Sequence, residues 1–556
     1  MDLAQDGVRR LSILDLPEDV LRNIFGHFRN DGLYFSKGEI DYSYNVAHED
    51  ENFRTVQNAR LVCRLFCEFA SPLLVPVLRA RISSESLDRV DKITRNPQIA
   101  AGVRLVQVVL EYRPREIAQN VLHYRNLQYH KVEQICDRCE HYTDYISGAK
   151  ANADDMLKIR NAIAVYSEMM VAWDACSDPG DLNFGLQSDD EGSKSRELLY
   201  QCYKEYRHKH EDQYRLLTDG SFVGSLAASI SRMASLRALT FFDHFKLPLD
   251  DLFDMSVTVL ATDPGKLHEI LVMPQDWISI EDMAPIPELL PAKLLWELPI
   301  AIYESGKQLR ELGIAAFPTK SNFDMLCPNN LNGSQPAWDR LQEALRYLER
   351  VDVGGGGNMR WLYQRLKHVP PDDQAHIDKY LSALLSSRCL ERIDLGLRPL
   401  RINFGRPQTI SAEGRMYPIG SVLSSMCSPG LRCLHLSEVS VPQEELEKLF
   451  SGLGDKLQSI VFYNVGVLDG GWGRPLDVLR ERLLSRRSHI KCSVSFIWLR
   501  GGGFDLVPGN DTDSDSEVSD DDDNETRLLR YNAEKYVSGV EGMVNPLAKL
   551  EARLRY

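Results

Sequence analysis

The feature that most constrains this chain is a six-residue signature that recurs seven times between residues 236 and 462. It consists of a leucine, two variable residues, an aliphatic, one variable residue and a final apolar residue. The anchors are Leu236, Leu239 and Phe241; Leu267, Ile270 and Val272; Leu309, Leu312 and Ile314; and Leu348, Val351 and Val353. They continue with Leu390, Ile393 and Leu395; Leu431, Leu434 and Leu436; and Leu457, Ile460 and Phe462. Alternation of this kind predicts a short strand with one buried face. An earlier segment, Leu105 with Val108 and Leu110, fits the same template and is rich in β-branched residues. Amphipathic helical stretches lie between the strands: Ile286 to Tyr303, Trp338 to Leu348, Ile377 to Leu385, Glu444 to Leu453 and Leu476 to Leu484. A strand, loop and helix cannot bury their apolar faces alone, so such units must stack on their neighbours. The expected fold class is α/β.

This grammar resembles the leucine-rich-repeat family, and the 26-residue step from Leu431 to Leu457 suits it directly. The earlier steps, 31 to 42 residues, imply loops or extra helices within the units. One element of the family pattern is missing. His244, Gln275, Phe317, Gly356, Arg398, Val439 and Val465 stand where the family places an Asn or Cys, three residues past the last apolar anchor. The resemblance therefore implies an irregular, horseshoe-like solenoid. A doubly wound α/β domain shares the strand–helix alternation and stays as the alternative.

The N-terminal part carries a different signal. Pro17 suits a first helical position, and Glu18 and Asp19 suit the positive end of a helix dipole. Val20, Leu21, Ile24, Phe25 and Phe28 then share one face, and a second amphipathic run carries Val56, Ala59, Val62, Cys63, Phe66 and Ala70. Two short helices have too little core to stand alone. Together, Leu16-Pro17, Leu21, Ile24, Phe25, the run Leu61 to Phe66 and the closing Ala70 to Leu74 resemble an F-box of the type common in filamentous fungi. The extra polar segment from Asp31 to Asn52, between the halves, is longer than the usual F-box turn. The resemblance implies docking to a Skp-type adaptor, and through it to a cullin. It assigns the adaptor-binding or interface-supporting roles to Leu16, Pro17, Val20, Leu21, Ile24, Phe25, Val62, Cys63 and Phe66.

The chain divides by composition into an F-box-like helical module at 10–80, a linker with the first repeat-like strand at 81–115, and a helical insertion at 116–235. An irregular leucine-rich-repeat-like domain follows at 236–500, then a disordered glycine and acidic tail at 501–556 with a short helix after Arg527. Breaks at Ser177 to Gly180 and Ser188 to Gly192 read as a loop within the insertion. Of the formal charge of −15, nine negative charges lie between Asp511 and Glu525, leaving −6 for the rest. An acidic body without a basic aromatic stripe disfavours nucleic acid. Ser514, Ser516 and Ser519 sit among those carboxylates, where phosphorylation would add further negative charge.

No apolar run approaches the roughly 18 residues of a membrane span, and the first residues lack the pattern of a secretory signal. The eleven cysteines are scattered through apolar segments, which suits a reducing compartment, cytoplasmic or nuclear. Cys136 and Cys139 with His141 form one ligand pair without a second, so they read as buried thiols and no metal or cofactor is expected. His208 and His210 read as solvent-facing, and Gly354 to Gly357 as a flexible turn without the Lys of a phosphate loop. With no nucleophile elbow, kinase signature or zincin motif, the expectation is a non-enzymatic substrate receptor of a Skp–cullin–F-box ubiquitin ligase. Its protein substrate is unknown and rests on the leucine-repeat region. The alternatives are a ligase-independent interaction scaffold and an enzyme built on the α/β portion.

Overall fold

The computed structural model describes residues 13–28, 51–147, 153–175, 191–243, 264–318, 321–328, 337–354, 366–367, 371–397, 402–403, 417–424, 426, 429–486, 491–504 and 524–548. At the N-terminus, α1 (Glu18–Gly26), α2 (Glu51–Ala59) and α3 (Arg64–Ala70) make a small module around Leu21, Phe25, Val56, Phe66 and Ala70. Pro17 is the N-cap of α1 and not its first helical residue. The second amphipathic run is two helices, because Cys63 is extended at φ −161° and its Sγ accepts the Phe66 N–H as the cap of α3. Leu61 and Val62 fall in the turn between them. The polar segment 31–52 lies outside the described residues except for the first two residues of α2.

Nine parallel strands form one sheet: β1 (Val77–Arg81), β2 (Leu105–Val109), β3 (Ala238–Phe242), β4 (Glu311–Ile314), β5 (Arg350–Val353), β6 (Arg392–Gly396), β7 (Cys433–Ser437), β8 (Ser459–Tyr463) and β9 (Ser493–Ile497). Each strand lies beside the strands that precede and follow it in this series. The sheet begins at Val77, earlier than the strand anticipated at Leu105, and ends one strand later than the leucine template reaches. Leu78, Val106, Leu239, Leu312, Val351, Ile393, Leu434, Ile460 and Val494 stand in one register row on the core side. The middle aliphatics of six of the seven signatures therefore lie in one continuous apolar seam.

The template misassigns one segment. Leu267 to Val272 is helical, because Leu267, Ile270 and Leu271 also fit a helical face, and that face packs into a separate core. After α4 (Ser84–Thr94), the insertion supplies α5 (Val121–Ser147), α6 (Ala153–Asp174) and α7 (Glu191–Thr218), followed by α8 (Ser221–Ser231) and α9 (Pro264–Val272). Helices α5, α6, α7 and α9 share that second core, built on Tyr124, Trp173, Tyr206 and Leu271. Cys136 and Cys139 are inside it, where burial pushes their thiols up to about 12 and about 11. His210 corrects the expectation of a solvent-facing residue. It is 4% exposed, with Nδ1 2.6 Å from the Arg113 carbonyl oxygen, and Arg113 in turn donates to the Val272 carbonyl at 2.9 Å. These bonds fasten α7 and α9 to the chain just after β2.

The remaining helices form a layer over the core side of the sheet. In order they are α4, α8, α10 (Leu294–Glu304), α11 (Ala337–Leu345), α12 (Pro371–Leu384), the short turn Gly420–Ser424, α13 (Gln443–Gly452), α14 (Gly473–Leu484) and α15 (Asn524–Val537). Each packs on the next. Helix α8 thus belongs to this layer and not to the insertion core. Residues 286–289, read as helical from sequence, precede a 3-10 turn at Leu290–Lys293. The described parts of the segment read as a disordered tail correct that expectation: Phe504, Ala533 and Val537 of α15, and Leu547 are buried in the main core. The acidic residues 511–523, with Ser514, Ser516 and Ser519, lie outside the described residues, as do Gly355 to Gly357.

Two glycines are dictated by close approach of main chains. A Cβ on Gly102 would fall 1.7 Å from the Pro72 carbonyl oxygen, where the N-terminal module abuts the start of the sheet. Gly354 has φ +75°, and its Cβ would fall 1.5 Å from the Gly396 oxygen in the neighbouring unit. In the C-terminal units the residue following the strand takes a left-handed conformation: Glu438, Asn464 and Trp498. Asn464 Nδ2 donates to Glu438 Oε2 with both residues buried. A buried polar contact therefore joins these two neighbouring units, two residues past the last apolar anchor of each.

Candidate docking surfaces

The N-terminal module sorts its residues into two sets. Leu21, Phe25 and Phe66 are buried, Leu21 to 1% exposure, and Leu16 and Cys63 pack against them. Phe25 is held edge-on to Phe66 at 5.3 Å and stacked on Phe69 at 5.9 Å, contacts that add to the area each ring buries. Pro17 and Val20 are exposed and Ile24 is half-buried. Val62 is 65% exposed and Leu61 85%. Ile13 and Leu14, which sequence reasoning passed over, are also about half exposed, at 50% and 49%. These four exposed aliphatic side chains lie at the two ends of the module's helices, before α1 and between α2 and α3. The signal available in sequence was position: Leu61 and Val62 follow the end of one helix and precede the cap of the next.

A cleft of about 350 Å³ runs between α1 and α3. Its apolar lining is Phe25, Leu65, Phe69 and Leu73, and Glu18, Arg22 and Glu68 supply charge. Arg22 pairs with Glu18 at 2.7 Å while its guanidinium lies 5.9 Å from the Phe69 ring centre. Apolar lining with a few oriented charges suits binding of a partner's side chains.

The face of the sheet turned away from the helix layer is buried over β2 to β6, where Gln107, Thr240, Asp352 and Asp394 are 1%, 1%, 1% and 7% exposed, and is partly exposed from β7 to β9. Arg79, Gln107, Thr240, Gly313, Asp352, Asp394, His435, Val461 and Ser495 form one register row across it. Its centre is charged. Arg392 makes a two-pronged contact with Asp394, Nε to Oδ2 at 2.6 Å and NH2 to Oδ1 at 3.1 Å. His435 Nδ1 lies 3.3 Å and Arg350 3.9 Å from the same carboxylate. Burial alone would raise the Asp394 carboxyl, but hydrogen bonding from His435 and Arg392, and the charges of Arg392 and Arg350, outweigh it and hold it below the usual range. Asp352 is the opposite case. It is 1% exposed and its Oδ1 has no hydrogen-bond partner. Burial first, and then the neighbouring Asp394 charge, raise its carboxyl to about 7.

Along the rim where the strands begin, charges pair between units: Arg237 with Glu349 at 3.3 Å and Arg432 with Glu391 at 3.4 Å. Beyond the centre the row continues with Val461 and Ser495, and at the ends of the last two strands Tyr463 meets Trp498 at 4.9 Å. A separate thiol–imidazole contact, Cys327 Sγ to His376 Nδ1 at 2.7 Å, joins the loop after β4 to α12. Burial pushes that thiol up despite Lys379 nearby, which favours the thiol over a thiolate. Among the described residues there is no cluster of three or more His, Cys, Asp or Glu able to hold a metal ion, and no helix long and apolar enough to cross a membrane.

These surfaces belong to a mixed α/β protein with a nine-stranded parallel sheet. No protein-family profile matches the chain. No curated protein matches it by sequence.

Proposed function

We propose that this chain is the substrate-recognition subunit of a Skp–cullin–F-box type ubiquitin ligase. On this reading the N-terminal module is an F-box and the nine stacked units are an irregular leucine-rich-repeat horseshoe. The observation that carries it is the division of the motif residues: Leu21, Phe25 and Phe66 build the module's core, and Leu61 and Val62 are left 85% and 65% exposed. A Skp-type adaptor, itself bound to a cullin, would cover that apolar surface together with Pro17 and Val20. The leucine-repeat region would hold a substrate protein and bring its lysines near a ubiquitin-loaded conjugating enzyme. The receptor then acts by proximity, raising the effective concentration of the reacting groups. The setting is cytoplasmic or nuclear.

The test is co-purification with the adaptor on size exclusion, comparing wild type with the Leu61→Asp, Val62→Asp double variant. Both positions are in solvent, so the fold should be unchanged by circular dichroism while association is lost. A folded wild type that does not co-elute with the adaptor would sink the reading. A scaffold that binds the adaptor without serving a ligase is the second reading, and ubiquitin-dependent turnover of a bound partner separates the two.

A further inference from the structure

The carbonyl end of α9 collects cations. Arg113, just after β2, is 8% exposed and directs Nε and NH2 at the Val272 oxygen, at 3.3 and 2.9 Å. Lys131, half-buried on α5, points Nζ at the next carbonyl oxygen, that of Met273, at 3.5 Å. Two positive groups thus sit on consecutive carbonyls, where the negative end of a helix draws them. Neither forms an ion pair among the described residues. Asp276 is the carboxylate that acts on Lys131, and both its oxygens accept from Ser279, from the N–H at 2.7 Å and the hydroxyl at 2.9 Å.

Buried donors without partners stand beside this pair. Gln128 precedes Lys131 by one turn of α5, is 0% exposed, and neither atom of its amide has a hydrogen-bond partner among the described residues. Residues three apart on a helix are neighbours on its surface. Gln275, two residues beyond Met273, is buried with its Nε2 in the same state. The Arg113 NH1 likewise makes no hydrogen bond among the described residues. Buried polar groups are rarely left this way, and these three nitrogens are all donors suited to an anion. Burial first, and then the Arg113 charge, pull the Lys131 ammonium down to about 7. Much of the amine is therefore uncharged at neutral pH, the form that acts as a nucleophile.

We infer that Lys131 is a carbamylation site that takes carbon dioxide, with the carbamate held by Arg113 and by the side-chain amides of Gln128 and Gln275. The Nζ lone pair attacks the carbon of CO2, an N–C bond forms, one C–O π pair moves onto oxygen, and a proton leaves the nitrogen for water. R–NH2 and CO2 thus give R–NH–COO− and H+, with nothing oxidised or reduced. The site's charges favour the change of sign, because a like-charge contact between Lys131 and Arg113 becomes an opposite-charge one. The planar carboxylate also matches the fork of a guanidinium. Helix α5 belongs to the insertion core and Arg113 follows β2, so the modification strengthens the attachment of the insertion to the sheet. The inference is independent of the ligase reading.

The experiment equilibrates the full chain at neutral pH with isotopically labelled bicarbonate, alkylates carbamates with triethyloxonium ion, and locates the ethyl carbamates by peptide mass spectrometry. Lys131 should carry the labelled adduct at a level at least tenfold above Lys448, an exposed lysine paired with Glu445. The excess should vanish in urea, where the site's geometry is gone. Gln128→Leu, which keeps an apolar side chain of similar length in the core, should lower the adduct at least threefold, and the wild-type comparison with Lys448 decides whether or not that variant folds. Lys131→Arg keeps the charge and removes the nucleophile. Wild type should therefore melt at a higher temperature in bicarbonate than in chloride of equal pH and ionic strength, and Lys131→Arg should not. No adduct on native Lys131, equal labelling of Lys131 and Lys448, or an excess that persists in urea would overturn the proposal. So would an equal thermal shift in wild type and Lys131→Arg, or an unchanged adduct in folded Gln128→Leu.

Discussion

Asp352→Asn should stabilise the sheet at pH 8 and leave it nearly unchanged at pH 4. In the folded chain this carboxyl is raised from 3.8 to about 7 by burial and by the adjacent Asp394 charge. The unfolded chain releases the proton near pH 4, whereas the folded one keeps it until near pH 7. Stability present below pH 4 is therefore lost as pH rises through 7. About three pH units at about 1.36 kcal/mol each set a ceiling of about 4 kcal/mol. Relaxation and the effective dielectric of real protein sites reduce this to about 2 kcal/mol. Asparagine has nearly the same shape and no proton to lose, so the pH-dependent decline should disappear. Arg350, Arg392 and His435 face the same cluster, and Glu311 lies one strand away on the same side. Of the two carboxylates at the centre of this cluster, it is Asp352 that combines near-complete burial with an oxygen that lacks a hydrogen-bond partner among the described residues. The assay is native-state hydrogen exchange of the β5 and β6 amides, corrected for intrinsic rates, at pH 5 and pH 8. Identical pH dependence in wild type and variant would refute the reasoning.

Asp394→Asn should act in the opposite sense, destabilising by about 3–5 kcal/mol at neutral pH by stranding Arg392 beside Arg350; urea unfolding followed at β6 and β7 checks this. Phe25→Ala should cost the N-terminal module about 3–5 kcal/mol, so that α1 to α3 lose exchange protection while β3 to β8 keep theirs. Gly102→Ala should part the module from the sheet, since its methyl would meet the Pro72 carbonyl; limited proteolysis between residues 70 and 80 should accelerate. Cys136 and Cys139 should react with a thiol reagent far more slowly than the exposed Cys389, and equal rates would show that the insertion core opens readily.

The leucine signature alone determined that the chain builds stacked strand–helix units, because period-two alternation admits one way of burying an aliphatic row. Six of its seven occurrences lie on strands of the sheet, and the helices between them were also legible. Leu267 to Val272 was not, since a short apolar run satisfies both periods and only packing against α7 decides between them. Strand β9 escaped notice because Val494 and Phe496 lack a leading leucine, and β1 because its anchors are Leu78 and Ala80. At the N-terminus the motif named the residues of the small helical module but not their sides. Leu21, Phe25 and Phe66 face inward and Leu61 and Val62 outward, a division that depends on where α2 ends and Cys63 turns the chain. The charged cluster on the sheet face opposite the helices and the meeting of α15 with β9 were invisible for a deeper reason. Asp352, Asp394 and His435 are about 40 residues apart in sequence, and Ile497 is 30 residues from Arg527. Local pattern encodes which face of an element is apolar; which charges meet across that face is set by strand register, and register exists only once the units have stacked.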